Sequence, residues 1–423
     1  MLDIHFIREN LDLFKAGAAK KHITVDLDRL IAVDDERKLI RQELDAKKAE
    51  QNRRSNEIQL LKDEERAAVI EQMKHLKDGM AEQEERLKTV MAEWQQLMLT
   101  VPNIPDMSVP DGENDAENLE VRTWGEKPTF SFTPKSHYEL MTSLGHANFE
   151  RGAKVAGFRG YFLTGDGARL LFALRRFVED RFMNRDGFTP IVAPSLVRRE
   201  AFVGTGYLPQ SEEDLYKTQD GEYLAGTAEV ATMGYFMNET IEKEMLPLKF
   251  FAYSPCFRRE AGSHGKDEKG VFRVHEFEKY EQVVFCEADH TTSVQLHEEI
   301  TANSEKLLQE LGLHYHVVVN CGGDLGLGQV KKYDIEAWMP SENRFRETHS
   351  ASYFHDFQTR RLNIRYRDAE GTLRYAHSLN NTALAMPRIL TQIVENYQQA
   401  DGTIRVPDAL IPYVGKSVIG PTQ

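Results

Sequence analysis

The residues 256–282, CFRREAGSHGKDEKGVFRVHEFEKYEQ, crowd cations, carboxylates and phenylalanines together in a chain of formal net charge −14. Alternate side chains of an extended strand share a face. Arg258 therefore goes with Glu260, and Arg273, His275, Phe277, Lys279 and Glu281 form a second row. A guanidinium suits phosphate, a ring suits a base and a carboxylate suits an amine, the three functions a nucleotide site uses. The same residues also describe an exposed sheet face laced with cross-strand ion pairs. The stretch alone leaves both readings open.

Positioning such a face requires two strands joined by the Gly-rich loop AGSHGKDEKG, within a larger sheet. Around it the pattern is mixed. GARLLFALRRFVEDRFMNRDG sets Leu170, Leu174, Phe177, Val178 and Phe182 on one helical face, and FTPIVAPSLV follows as a strand. LKFFAYSPCFRRE, GVFRVHEFEKYEQVVF, HYHVVVN, YDIEAWMP and RLNIRYR read as further strands. TTSVQLHEEITANSEKLLQEL and RILTQIVENYQQ read as helices. Strands at hairpin spacing with interspersed helices predict an α+β fold on an antiparallel β-sheet, with flanking helices.

The N-terminal quarter differs. Met73, Leu76, Met80, Leu87, Val90, Trp94 and Leu97 recur at heptad spacing, broken only by Gln83, the seam of a coiled coil. Leu30, Val33, Ile40, Leu44, Ile58 and Leu61 hold a looser register, interrupted by Arg37, Lys47, Gln51 and Arg54. A break at LKDEERAAV, with Asp63 as the cap of a second helix, predicts an antiparallel hairpin over about 30–99. A dimerising coiled coil fits the same periodicity. The organisation expected is an N-terminal domain over 1–105, a Pro/Asp/Asn/Gly-rich linker over 106–130 and a main domain over 131–423.

Composition excludes several classes. With 41% hydrophobic and 28% charged residues over 423 positions, the chain reads as globular, with two or more domains. No apolar run suggests a signal peptide or membrane span, and three scattered cysteines, Cys256, Cys286 and Cys321, suggest neither disulfides nor a structural zinc. A cytoplasmic protein is expected, without membrane or DNA as partner.

The ordered motifs add a resemblance. CFRREAG…VFRVHEFEKYE resembles the second signature of class II aminoacyl-tRNA synthetases, NNTALAMPRIL the third, and the helix–strand segment from Gly167 the first. PNIPDMSVPDGENDAENLEVRTWGEKP, TPKSHYEL, GTAEV, YDIEAWMP, DFQTRRLNIRY and ENYQQADGTIRVP match in order the bacterial-type seryl-tRNA synthetase family, nearly end to end. The resemblance implies ATP-dependent activation of L-serine to seryl-adenylate, then transfer to the 3′ end of a serine tRNA with a long variable arm. It leaves selenocysteine tRNA as a further acceptor. It also implies a homodimer, with ATP and Mg2+ at the site.

By that resemblance, Arg258, Glu260 and Arg388 are the catalytic residues. Arg258 would hold the α-phosphate and the serine carboxylate, Glu260 the adenine amino group, and Arg388 the far phosphate of a bent ATP. Phe277 would stack on the base, with Arg259, Arg273, Val274, Thr348 and His349 also around ATP. Glu347 and Ser350 would hold magnesium. Thr227, Ala228, Glu229, Arg258, Glu281, Asn380 and Thr382 would form the serine pocket, since rejecting an analogue without the hydroxyl needs polar groups that bond it. Lys47, Lys48, Arg53 and Arg54 would meet tRNA backbone, and Lys266 and Lys269 the tRNA end. Three departures stand out: Asn381-Thr382-Ala383 in the third motif, His349 and Ala351 in RETHSASYF, and Gly226 where proline is usual. The alternatives are a synthetase-derived protein that loads a carrier protein, which would lack the arm, or one that binds RNA without catalysis, which would have lost the ATP-contacting residues.

Overall fold

The structure is a computed structural model that describes residues 1–58, 61–183, 187–262, 265 and 267–422. Two compact units divide the chain, Met1–Ala19 with Ile23–Pro102, and Lys20–His22 with Asn103–Gln423.

The first unit carries the hairpin. Helix α1 spans Leu27–Glu57, and its N-terminus is capped by Asp26, whose side chain accepts from the Arg29 amide. Helix α2 spans Asp63–Thr100, with Lys62 in the cap position. The helix thus starts at Asp63 instead of being capped by it. At ~1.5 Å per residue each arm runs roughly 50 Å. Val33, Ile40 and Leu44 pack on Met80 and Val90, flanked by Leu76, Leu87, Trp94 and Leu97. Arg37 and Gln83, two of the polar residues that interrupt the seam, are paired within the hairpin. The Arg37 guanidinium lies 4.5 Å from the Trp94 ring centre and bonds Asp34 at 2.6 Å, and Gln83 donates to Glu43.

The second unit is built on an eight-stranded sheet. Its strands are β1 (Leu119–Trp124), β2 (Phe188–Val192), β3 (Leu248–Phe257), β4 (Glu276–Cys286), β5 (Tyr315–Val319), β6 (Lys331–Met339), β7 (Arg344–His355) and β8 (His377–Ala385). Their order is β1-β5-β6-β7-β8-β4-β3-β2. Every pair is antiparallel except the edge pair β2–β3. Six helices matter for the site: α3 (Gly165–Met183), α4 (Arg199–Thr205), α5 (Ala228–Gly234), α6 (His290–Glu310), α7 (Phe357–Leu362) and α8 (Met386–Asn396).

Helices α3, α6 and α8 cover one face. Leu170, Leu174, Phe177, Val178 and Phe182 of α3 are all buried, in one cluster with Phe251, Tyr280, Val284 and Ile300. A buried polar layer pins the central strands to α6. Gln282 donates to Ile300 O at 2.9 Å, Asn381 donates to the same carbonyl at 2.6 Å, and Ser304 donates to Thr382 O at 2.7 Å. Because side chains alternate, fixing Gln282 and Asn381 to the helical side turns Glu281, Asn380 and Thr382 to the opposite face. That face is covered only in part, by α5 and α7, which pack around Val283 and Phe285 through Met233 and Leu362.

Two expectations are corrected. The segment 106–130 is not linker throughout, because Leu119–Trp124 pairs with β5 as an edge strand. Its mostly exposed residues give no buried alternation to read. The second strand of the charged hairpin begins at Glu276, so Arg273 and His275 precede it. Among the described residues no helix is long and apolar enough to cross a membrane.

Candidate active site

The open sheet face gathers the polar residues from four strands. Phe277, Lys279 and Glu281 alternate along β4, opposite Cys256, Ser254 and Ala252 of β3. On the other side Glu281 stands opposite Thr382. Asn380 faces Ser352 of β7, and Ser350 faces Asp334 of β6. The row predicted along the second strand holds from Phe277 to Glu281.

At the turn after β3 the predicted pairing of Arg258 with Glu260 by alternation fails. The Arg258 amide still bonds His275 O at 2.9 Å, but Glu260 adopts φ +55°, a left-handed conformation uncommon for a residue with a side chain. Asp214 holds this turn through its backbone carbonyl to the Arg259 amide and its carboxylate to the Ala261 amide, both at 2.9 Å. Glu260 is brought to Arg273 at 2.5 Å, and Arg273 reaches Asp267 at 3.3 Å. Arg259 is exposed, while Val274 is buried in the core. Lys269 lies 5.8 Å from the Tyr138 ring centre, and Lys266 falls outside the described residues.

Arg258 sits between two parts of the site. Its guanidinium is 5.4 Å from the Phe277 ring centre and donates twice to Gly226 O, each at 3.2 Å. A Cβ at Gly226 would lie 3.1 Å from Arg258 Cγ. The glycine found where proline is usual thus lets the arginine lie close against its backbone.

Thr227 caps α5, accepting from the Glu229 amide, and its hydroxyl donates to Glu281 at 3.4 Å. Lys279 and Glu281 form a short ion pair, both nearly fully buried. Glu229 is also buried. Its carboxylate accepts from Gln358 at 2.7 Å and Tyr207 at 3.1 Å. Burial and the neighbouring Glu281 charge push its pKa up to about 7. Ala228 is buried, as are Asn380 and Thr382. The result is a compact polar cluster with two carboxylates, one ammonium and several hydroxyl or amide groups.

At the other end, Arg388 at the start of α8 bonds the Glu347 carbonyl at 3.0 Å and pairs with its carboxylate at 3.1 Å. Burial acts to raise the Glu347 carboxyl, but the Arg388, Lys332 and Arg258 cations more than reverse it and keep it ionised. Its side chain is 44% exposed, so the carboxylate is open to a ligand. Arg346 and Arg388 both lie over Phe272, at 4.1 and 5.2 Å. Glu347 and Ser350 fit a magnesium ion that draws most of its oxygens from phosphates and water.

His349 and Thr348 do not join them. Both are buried, the Thr348 hydroxyl contacts His349 Nδ1 at 2.8 Å, and burial lowers the His349 pKa to about 3. A neutral, enclosed imidazole of this kind is not presented to a ligand beside Glu347 and Ser350.

The four arm cations diverge as well. Lys48 and Arg53 are exposed, whereas Lys47 and Arg54 are half-buried. Lys47 lies near Gly79, and Arg54 bonds Gln72 at 2.6 Å. Lys48 pairs loosely with Glu84 at 3.4 Å, and Arg53 with Glu50 at 2.5 Å.

Comparison with known proteins fits this geometry. Residues 215–397 match the tRNA synthetase class II core domain (G, H, P, S and T), and residues 1–105 the seryl-tRNA synthetase N-terminal domain. The serine–tRNA ligase of Deinococcus radiodurans is 45% identical over 99% of both chains. The chain belongs to the seryl-tRNA synthetase family. Among solved members of that family, the seryl-tRNA synthetase of Pyrococcus horikoshii complexed with ATP superposes with TM-score 0.91 at 38% identity, covering 100% of both chains. The cytoplasmic serine–tRNA ligase of Naegleria fowleri in complex with AMP gives 0.86 at 32%, covering 100% of this chain and 99% of that one. The class II fold with a helical arm, expected from the motifs, is the fold observed.

Lys279, Tyr207, Gln358, Lys332 and Asp334 also reach the site, without a role implied by the seryl-tRNA synthetase motifs. Lys279 was visible in the alternating row. Tyr207 and Gln358 reach Glu229 from 22 and 129 residues away, and no local pattern announces such contacts.

Proposed function

We propose that the chain activates L-serine with ATP and transfers the seryl group to the 3′-terminal adenosine of serine tRNA. The observation that carries this reading is the sequence of groups along one sheet face. Phe277 offers a ring, Arg258 a guanidinium beside it, and Glu281, Thr227 and Thr382 a small polar pocket beyond.

In the first step a serine carboxylate oxygen attacks the α-phosphorus, the P–O bond to the β-phosphate breaks, and pyrophosphate leaves. Arg258 lies where it can bond both the carboxylate and the α-phosphate, holding the reactants in line and balancing charge on the phosphorus oxygens. Phe277 stacks on adenine, with Glu260 and Arg273 at its edge. Arg388 meets the far phosphate. Glu347 and Ser350 would hold a magnesium ion, whose charge would offset that of the phosphates. Glu281 and Glu229 receive the serine ammonium, while Thr227, Asn380 and Thr382 surround the hydroxyl. In the second step an adenosine hydroxyl of the tRNA attacks the seryl carbonyl and AMP leaves.

Lys48 and Arg53 on the hairpin are the groups best exposed for tRNA phosphates, in keeping with recognition of RNA helices by shape and backbone. The functional unit is a homodimer. Val192 at the end of the edge strand β2 is 77% exposed and Phe172 of α3 62%, apolar surface that a second subunit would cover. Incubation with ATP, magnesium and serine should yield seryl-adenylate, and added serine tRNA should become esterified. Adenylate without esterification of the tRNA would contradict the second step.

A further inference from the structure

The segment Phe357–Leu362 belongs to the motif DFQTRRLNIRY, to which the reaction assigns nothing. We infer that Gln358, with its amide turned by Ser378 and assisted by Tyr207, is a positioning residue for serine recognition that acts through the Glu229 carboxylate. The inference rests on the proposed serine-activating function.

Gln358 is buried, and its orientation is determined by its partners. The Ser378 hydroxyl donates to Gln358 Oε1 at 2.7 Å, which leaves the amide N–H groups for Glu229 Oε1 at 2.7 Å and Thr205 O at 3.4 Å. Ser378 can serve here because its hydroxyl both rotates and donates. Tyr207 donates to the second oxygen of Glu229 at 3.1 Å. Both carboxylate oxygens are thereby held, without a cation.

The fold goes to some length to bring Gln358 there. Helix α7 packs against α4 and α5. A Cβ at Gly204 would fall 2.1 Å from Leu362 Cδ2, so the approach of α4 to α7 needs glycine at this position. The adjacent Arg361 stacks on Phe357 at 3.9 Å and donates to Val203 O at 3.3 Å, tying the same two helices.

The neutrality of Gln358 is the point of chemical interest. The charged and titratable groups that face Glu229 are Glu281 and Lys279 on β4 and Tyr207, while Arg258 after β3 acts on Tyr207. Lys279 already pairs with Glu281, and Arg258 is directed to Gly226 O. A neutral donor orients Glu229 while leaving its charge for the substrate ammonium. An arginine or lysine in place of Gln358 would satisfy the carboxylate and compete with serine.

The test is steady-state exchange of pyrophosphate into ATP by the full-length protein, as a function of serine, ATP and pH. Gln358→Glu replaces a donor with a third carboxyl, which raises the protonation of Glu229. Loss of one hydrogen bond to a charged group predicts a serine KM raised about ten-fold or more near neutral pH, with kcat and the ATP KM within about two-fold. The acid limb of kcat/KM for serine should move to higher pH. Tyr207→Phe and Ser378→Ala should raise the serine KM in the same direction by less, and they decide the matter if Gln358→Glu does not fold. A serine KM within about two-fold of the unmodified value at every pH, or equal rises for serine and ATP, would overturn the inference while leaving the function intact. Absence of serine-dependent exchange in the unmodified protein would overturn both.

Discussion

On the proposed reading, Glu229 trades stability for recognition. A carboxylic acid prefers its neutral form when buried beside another carboxylate, and here the pKa rises from 4.5 to about 7. For an acid with a raised folded pKa, the favourable contribution is present below the unfolded pKa and lost as pH rises through the folded one. Glu229 therefore weakens the fold above about pH 7, by roughly 3 kcal/mol on the scale of the shift. Glu229→Gln should raise the melting temperature at pH 8, leave it unchanged near pH 4, and abolish serine-dependent exchange. A variant no more stable at pH 8, or one that still uses serine, would contradict the role given to the charge. The row Phe277, Lys279 and Glu281 was legible from strand alternation, whereas the φ of +55° at Glu260 was not. No pattern in RREAG marks a turn gripped by Asp214, more than forty residues earlier.

At the scale of elements, legibility followed how each face is buried. The seam of α2 could be read because its heptads bury one stripe. Strands β7 and β8 went unread. All nine residues of β8 are buried, and a strand buried along its whole length loses the alternation that announces it. Its polar members, Asn380, Asn381 and Thr382, obscured it further. The arm cations differ in another way, since residues adjacent in sequence are unequally exposed on the helix, Lys48 and Arg53 more than Lys47 and Arg54. Lys48→Ala with Arg53→Ala should weaken binding of serine tRNA and flatten its salt dependence, because those side chains are exposed. Exchange should be unaffected. Equal affinity across a range of salt concentrations would remove these two residues from the interface.

For the whole molecule, the division into an N-terminal arm and a sheet-based unit follows from two kinds of periodicity along one chain. The hairpin cluster is composed only of arm residues, and the large cluster only of residues beyond the arm. Replacing residues 27–100 with a short flexible connection should therefore leave a folded protein that activates serine and fails to charge tRNA. Loss of exchange in that variant would mean that the arm supports the chemistry itself. The central claim, a serine-specific adenylating site on the open sheet face, is tested most directly by pyrophosphate exchange into ATP with serine, threonine, alanine and glycine in turn. Exchange should depend on serine, with the other three far weaker, and Arg258→Ala should abolish it. Exchange driven better by threonine, no exchange with serine, or full activity without Arg258 would contradict the account.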